Sequence, residues 1–330
     1  MKIINSLFIT FIITISWAGE PVGYYNSAQG LEGFALRQAL HSIIKNHHII
    51  PYTSTAIDTT DAIKVLDQDP INTNKVILIY SGYSDWKTNF GTTGWEREHI
   101  WPNSYGIDSV QPAYSDLFNL RAIDSTVNSS RGNKYYDISD TNAPSYNFPA
   151  HIEAPECSTD SNSWEPRPYD RGWVARVICY MDVRYEGDHV SEPDLVLTEN
   201  TNIISSTTNR MGRYSTILLW NSLYPVSVAE SNRNDAIYSL YQTNRNPFVD
   251  HPEWVDLAFK PKLHIELVSN AVLLWWKSEW TNATLLSSTN VLGNWNGYGT
   301  TPTNTGTQFQ LTVNITNNYR FFRLNNESYP

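Results

Sequence analysis

Cysteine is scarce in this 330-residue chain, which contains only Cys157 and Cys179. Two cysteines cannot build the disulfide framework that stabilises many small secreted domains, and a chain of this length buries a sizeable apolar core without one. Cys179 lies in an apolar helical stretch, where buried free thiols are common. Because the sequence does not supply the geometry of a bridge, it leaves open whether the two thiols are joined.

Basic residues are also in deficit: 23 Lys and Arg stand against 33 Asp and Glu, and the net charge is −10. Proteins that hold long nucleic-acid duplexes without sequence preference usually carry a basic excess, because phosphate contacts need cations. The composition therefore argues against tight, non-specific binding of a long duplex. It leaves room for a local basic cleft, and the four arginines from Arg167 to Arg184 could form a modest basic patch.

Long apolar runs are lacking beyond the N-terminus, so the sequence predicts no membrane span in the mature protein. At the N-terminus, Lys2 precedes an apolar run from Ile3 to Trp17, and Ser16-Trp17-Ala18 fits a small-x-small cleavage site. This is the pattern of a signal peptide over residues 1–18. The alternative is an N-terminal anchor, which the shortness of the run disfavours. We therefore expect an exported protein, either secreted or periplasmic.

The remaining chain divides near Pro261 into two regions of different character. Residues 19–260 alternate helical patterns with short β-rich runs, which predicts an α+β domain that is mainly helical. Residues 261–330 contain few charges, and Phe309, Leu311 and Val313 alternate as in a half-buried strand. This predicts a small all-β module of β-sandwich type. It could contact an extracellular surface or polysaccharide, although a passive spacer or sorting element is the simpler interpretation. The patterned segments are 36–44, 58–66, 76–80, 171–185, 211–220 and 226–241, of which 171–185 reads as an amphipathic helix.

The densest group of chemically useful side chains lies between Trp95 and Asn128. His99 ends a predicted short strand, a second strand is expected at 118–123, and Asp124 begins a helix that carries Asn128. Cleavage of a phosphodiester needs a base that works near neutral pH, which suits His. It also needs positive charge near the phosphate, which a hard cation supplies. Glu98 and Asn128 could hold Mg²⁺, which often takes only one or two protein ligands.

Five sequence blocks follow one another in order along the chain: EREHIWP (96–102), DLFNL (116–120), VNSSRGN (127–133), RGWVARVICYM (171–181) and QTNRNPF (242–248). In these blocks the chain resembles the bacterial endonuclease I family, a branch of the ββα-metal (His-Me finger) nucleases. The resemblance implies a ββα-metal core inside the mainly helical domain, with Glu98 and Asn128 as metal ligands and His99 as general base. It also implies Mg²⁺ or a similar cation such as Mn²⁺ or Ca²⁺, little sequence preference, and products with 5′-phosphate ends.

One departure from the family pattern affects the surroundings of this site. The family commonly has His in the DLFNL block where this chain has Phe118, so polar chemistry is lost at that position. Asn119 remains and could orient His99 or a metal-bound water.

Arginines are the candidate phosphate ligands, because a guanidinium group fits phosphate oxygens. Arg131, one helical turn after Asn128, and Arg176 are catalytic candidates on this argument. For Arg176 the alternative is a structural ion pair with Glu165 or Asp170.

Two functions from different classes remain open on the sequence alone. The first is a secreted, metal-dependent nuclease that hydrolyses DNA, RNA or both. The second is a non-catalytic surface or binding protein built on a nuclease scaffold. The complete set of Glu98, His99 and Asn128 favours the nuclease, whereas the acidic charge and Phe118 are what the second interpretation rests on.

Overall fold

The computed structural model describes residues 19–91, 93–315 and 319–325. The predicted signal peptide, residues 1–18, lies outside the described residues. The chain has a mixed α+β fold, as the sequence predicts, and a group of antiparallel strands follows the last helix. No helix within the described ranges has the length and apolarity that crossing a bilayer requires.

The first two helices confirm the predicted helical patterns. They are α1 (Gly33–Ile44) and α2 (Thr59–Leu66). The Asp58 side chain accepts hydrogen bonds from the backbone N–H groups of Thr60 (2.7 Å) and Asp61 (3.2 Å). These bonds satisfy donors that would otherwise lack partners at the helix end, and they fix the residue at which α2 begins.

The strand predicted at 76–80 is shorter in the structure. β1 (Lys75–Ile77) pairs antiparallel with β2 (Ser84–Trp86). The chain leaves the extended conformation after β1, and Tyr80 has a positive φ of 69°. Tyr80 is completely buried, so the end of this apolar run turns into the interior instead of extending the sheet.

The predicted strand–strand–helix arrangement is present. β3 (Trp95–His99) pairs antiparallel with β4 (Leu120–Asp124), and α3 (Ser125–Arg131) follows β4 directly. Asp124 caps α3 by accepting hydrogen bonds from the second and third residues of the helix. Gly132, with a φ of 60°, ends the helix in a conformation that favours glycine. The cap and the glycine together set the length of α3.

A three-stranded sheet leads into the central helix α4 (Pro168–Arg184), which was predicted to be amphipathic. That prediction is wrong, because the structure buries nearly every residue of the helix from Asp170 onward. The predicted basic patch is also wrong, because the four arginines from Arg167 to Arg184 each pair with a carboxylate of the protein. The pairs are Arg167 with Asp170, Arg171 with Glu165, Arg176 with Glu230, and Arg184 with Glu192.

The three strands that precede this helix are β5 (Tyr135–Tyr136), β6 (Ser158–Thr159) and β7 (Ser163–Glu165).

Further helices pack around α4 and complete this part of the core. α6 (Val228–Ile237) begins two residues inside the predicted segment 226–241, because Ser227 accepts a hydrogen bond from the Glu230 backbone N–H (3.2 Å) and caps the helix. Cys157 and Cys179 are both buried free thiols and are not bridged. The elements are β8 (Val196–Leu197), β9 (Arg210–Met211), α5 (Tyr214–Leu223), α6 (Val228–Ile237), α7 (Pro247–Asp250) and α8 (Trp254–Phe259).

The described residues after 261 form two antiparallel sheets. Their strands are β10 (His264–Val268), β11 (Ala271–Lys277), β12 (Thr284–Ser288), β13 (Asn296–Gly297), β14 (Thr303–Asn304), β15 (Gln308–Asn314) and β16 (Phe321–Asn325). The strand orders are β10–β11–β15–β14 and β13–β12–β16. Apolar side chains of both sheets, including Leu274, Trp276 and Leu285, belong to one buried cluster that continues into the helical part.

Polar contacts also join the two sheets to the start of α1. Glu279 accepts a hydrogen bond from the Phe34 backbone N–H (2.7 Å), and His264 Nε2 lies 2.7 Å from Glu32 Oε1. The sheets are thus in contact with the helical region at α1. The domain boundary at residue 261 and the contact of the module with an extracellular surface or polysaccharide stay predictions.

Candidate active site

The β3–β4–α3 unit brings Glu98, His99 and Asn128 to one cavity of about 260 Å³, which Arg131 also lines. Neighbouring residues of a strand face opposite sides, so Glu98 and His99 can share a site only where the strand ends. His99 is the last residue of β3 and pairs with the first residue of β4. The end of the strand therefore allows both side chains to border the same cavity.

His99 is held in one orientation by its surroundings. Its Nε2 lies 2.8 Å from the carbonyl oxygen of Tyr114, and its ring stacks on Tyr52. A carbonyl oxygen only accepts, so Nε2 carries the proton and Nδ1 keeps a free electron pair. Burial lowers the pKa of His99 to about 4, although the bond to Tyr114 opposes this shift. The imidazole is therefore neutral at neutral pH, which is the state a general base requires.

Glu98 is a carboxylate placed almost entirely inside the protein, with 1% of its surface exposed. Its Oε1 accepts a hydrogen bond from the Tyr80 hydroxyl (2.8 Å) and lies 3.4 Å from Nη1 of Arg131. Burial raises the pKa of Glu98, while Arg131 and Tyr80 favour its charged form. None of the described residues hydrogen-bonds to its other oxygen, Oε2, which is left for another partner.

Asn128 is oriented by a residue that sequence reasoning missed. Its Nδ2 donates to Glu96 Oε1 (2.7 Å), and since a carboxylate only accepts, this bond assigns the amide nitrogen. The amide oxygen Oδ1 then receives no hydrogen bond from any described residue. The sequence did contain a signal for this role of Glu96. Residues two apart in a strand face the same side, so Glu96 could have been expected on the same side of β3 as Glu98.

Asn119 and Arg131 support the backbone that follows His99. Asn119 Oδ1 accepts a hydrogen bond from the Trp101 backbone N–H (2.7 Å), and Asn119 Nδ2 donates to the Trp101 carbonyl oxygen (3.1 Å). Both amide atoms of Asn119 are therefore bound to Trp101, and the side chain does not orient the His99 ring. Arg131 donates to the carbonyl oxygens of His99 (3.2 Å) and Ile100 (2.8 Å). The two side chains thus fix the path of the chain beside the cavity.

Arg176 is not brought to this site. Its guanidinium group is buried and binds both carboxylate oxygens of Glu230, each at 2.7 Å. It also donates to Asn221 Oδ1 (3.2 Å) and to the carbonyl oxygen of Tyr224 (3.0 Å). The alternative interpretation of a structural ion pair matches this placement, but the partner is Glu230 and neither Glu165 nor Asp170. Four of its five N–H donors are thus engaged, and Arg176 is not among the residues that line the cavity, so it is not placed to bind a phosphate there.

The sequence that builds this cavity matches a known family of nucleases. The sequence model of the Endonuclease I family matches residues 32–253, about two thirds of the chain and all the cavity residues named above. The chain belongs to the endonuclease I family. It is therefore a nuclease, that is, a phosphodiester hydrolase whose substrate is nucleic acid. Membership of this family supports the first of the two functions that the sequence left open, a nuclease, over a non-catalytic binding protein on a nuclease scaffold.

Two curated proteins are similar to this endonuclease I chain over most of its length. The extracellular ribonuclease of Bacillus amyloliquefaciens is 42% identical over 245 residues, which are 73% of this chain and 80% of that protein. The extracellular ribonuclease of Bacillus subtilis (strain 168) is 42% identical over 236 residues, or 71% and 77%. Both alignments span more than three quarters of the relative, so the similarity concerns nearly whole proteins.

Endonuclease I nucleases generally use divalent metal ions, and the cavity residues fit such an ion. Glu98 Oε2 and Asn128 Oδ1 are hard oxygen donors, both residues line the cavity, and both atoms lack a hydrogen-bond partner among the described residues. Carboxylate and amide oxygens are the ligands that Mg²⁺, Mn²⁺ and Ca²⁺ prefer. The space around them also accommodates water ligands, since one water occupies about 30 Å³ in the liquid.

Arg176→Ala should act on stability rather than on catalysis. We expect it to lower the free energy of unfolding by about 3–5 kcal/mol, because Glu230 is left buried and unpaired. Urea denaturation of the variant measures this loss. Replacing both partners, as Arg176→Met with Glu230→Leu, should recover much of it. A variant of unchanged stability that has lost turnover would show that Arg176 acts in catalysis instead.

Proposed function

We propose that this chain is a secreted, metal-dependent endonuclease that hydrolyses RNA, DNA or both with little sequence preference, using His99 as general base. The observation that carries the proposal is one cavity lined by His99, Glu98 and Asn128, in which no described residue hydrogen-bonds to Nδ1 of His99, Oε2 of Glu98 or Oδ1 of Asn128. The two relatives are named extracellular ribonucleases, which supports export and RNA as a substrate.

Glu98 and Asn128 would hold the cation through Oε2 and Oδ1, and Mg²⁺ is the ion we expect. When bound, a divalent cation supplies positive charge beside the phosphate oxygens and the leaving 3′ oxygen. The chain provides the placement of the two ligands. Tyr80 and Arg131 occupy the other oxygen of Glu98, and Glu96 occupies the amide nitrogen of Asn128.

His99 would activate the attacking water. Its neutral Nδ1 takes a proton from the water, and the water oxygen attacks the phosphorus atom. The bond from phosphorus to the 3′ oxygen breaks, solvent protonates that oxygen, and the phosphate remains on the 5′ end of the product. The carbonyl oxygen of Tyr114 accepts from Nε2–H and stabilises the imidazolium that forms, because hydrogen bonds from charged donors are stronger than those from neutral ones.

The acidic net charge bears on how the substrate is held. The four arginines from Arg167 to Arg184 form ion pairs with carboxylates of the protein. They therefore do not provide a basic surface for a long duplex. We therefore expect binding to depend on local contacts at the cavity.

The departure from the family pattern at Phe118 does not alter the proposed site. Phe118 is buried, with 4% of its surface exposed, and it does not line the cavity that Glu98, His99 and Asn128 share.

Removal of metal should abolish cleavage reversibly. We expect EDTA to stop degradation of RNA and of plasmid DNA by the purified protein, because a site with two protein ligands releases its ion readily. Excess Mg²⁺ should restore the activity. The measurement is the rate of nicking and of acid-soluble release, with circular dichroism to show that the fold survives chelation. Full activity in the metal-free protein would disprove metal dependence.

His99→Ala should reduce turnover by about 10²–10⁴-fold, which is what general bases commonly contribute. His251→Ala is the matched control, since His251 binds Glu20 (2.8 Å) and Glu253 (3.1 Å) and does not line the cavity. Initial rates at saturating Mg²⁺ compare the two variants after both are shown to fold. Equal, small losses from both substitutions would remove His99 from the role of base.

A further inference from the structure

We propose that Tyr80 is a positioning residue, which holds the Glu98 carboxylate so that Oε2 faces a divalent cation. This inference rests on the proposed function and adds a residue to its metal site. Tyr80 precedes β2 and contacts the carboxylate from the side of the protein interior. Sequence reasoning treated it only as the end of an apolar strand.

The hydroxyl groups of Tyr80 and Tyr136 form a directed chain that ends on Glu98. Tyr80 donates its only proton to Oε1 of the carboxylate at 2.8 Å. The Tyr136 hydroxyl lies 2.6 Å from the Tyr80 hydroxyl, so Tyr136 must be the donor in that contact. Its proton has a second acceptor in the Ile100 carbonyl oxygen at 3.0 Å. Because successive hydrogen bonds polarise one another, this chain strengthens the bond to Glu98.

Tyr80, and not Arg131, sets the orientation of the carboxylate. Arg131 Nη1 lies 3.4 Å from Oε1. This distance exceeds the donor–acceptor distances of about 2.7–3.2 Å that are usual for N–H···O hydrogen bonds. Arg131 therefore supplies charge with weak directional control, whereas the short bond from Tyr80 fixes which oxygen points inward. With Oε1 engaged, Oε2 is the oxygen left for the cation.

The backbone holds Tyr80 rigidly in this position. Its φ of 69° is unfavourable for a bulky side chain and persists only where the surroundings impose it. Its N–H donates to Asp170 Oδ2 at 2.9 Å, and its ring packs against Trp164 in the buried core. Unfavourable backbone conformations of this kind cluster at ligand-binding sites, which agrees with a positioning role.

The test is direct binding of Mn²⁺ to Tyr80→Phe without nucleic acid, measured by isothermal titration calorimetry. The substitution removes one oxygen and keeps the ring, so Glu98 loses its orienting bond. Loss of such a supporting partner commonly weakens metal affinity by about 10–100-fold, and we expect the Kd for Mn²⁺ to rise by that factor. Excess Mn²⁺ should then return kcat toward the wild-type value.

Tyr25→Phe is the matched control, because it removes the same kind of bond at a residue that does not line the cavity. Tyr25 donates to Asp250 Oδ2 (2.7 Å), and Asp250 is paired with Arg245 (2.7 Å), which reproduces the tyrosine–carboxylate–arginine arrangement. This variant should lose similar stability and keep the wild-type Kd.

An unchanged Kd in Tyr80→Phe, or an equal rise in Tyr25→Phe, would overturn the inference. If Tyr80→Phe does not fold, Tyr136→Phe replaces it. That variant should show a smaller rise in Kd, and no rise would count against the proposal. Failure of the wild-type protein to bind Mn²⁺ would refute the metal site itself and this inference with it.

Discussion

Burial of the Glu98 carboxylate is the constraint on which the site depends. A charge at 1% exposure is costly unless hydrogen bonds and an opposite charge compensate it. The compensation comes from Tyr80, before β2, and from Arg131, at the end of α3. Each leaves Oε2 unoccupied, so the interactions that make burial tolerable also prepare the carboxylate for a cation.

The same arginine links the proposed metal ligand, Glu98, to the proposed base, His99. Arg131 binds the carbonyl oxygens of His99 and Ile100 while it faces Glu98. The end of β3 is therefore tied to α3, which also carries Asn128. Glu98 and His99, at the end of β3, and Asn128, on α3, therefore belong to one connected unit, which is the kind of fixed geometry that would position the proposed base and cation around one phosphate.

Local signals in the sequence predicted the elements of the site but not the contacts that hold them. The cap at Asp124 and the strand ending at His99 are short-range features, and together with the motifs of the family resemblance they predicted the β3–β4–α3 unit and its three central residues. Tyr80 lies 18 residues from Glu98, and Tyr114 lies 15 residues from His99. Such pairs depend on tertiary packing, for which propensity and periodicity give no signal. For the same reason the sequence did not predict that Arg176 pairs with Glu230, which is 54 residues away.

The most direct measurement is the anomalous scattering of Mn²⁺ in crystals of the wild-type protein. We expect one strong peak in the cavity, within coordination distance of both Glu98 Oε2 and Asn128 Oδ1, which is about 2.0–2.6 Å for hard cations. The imidazole of His99 should stay outside the coordination sphere, with Nε2 still bonded to the Tyr114 carbonyl oxygen. Manganese coordinated by His99, or bound elsewhere in crystals of an active enzyme, would contradict this expectation.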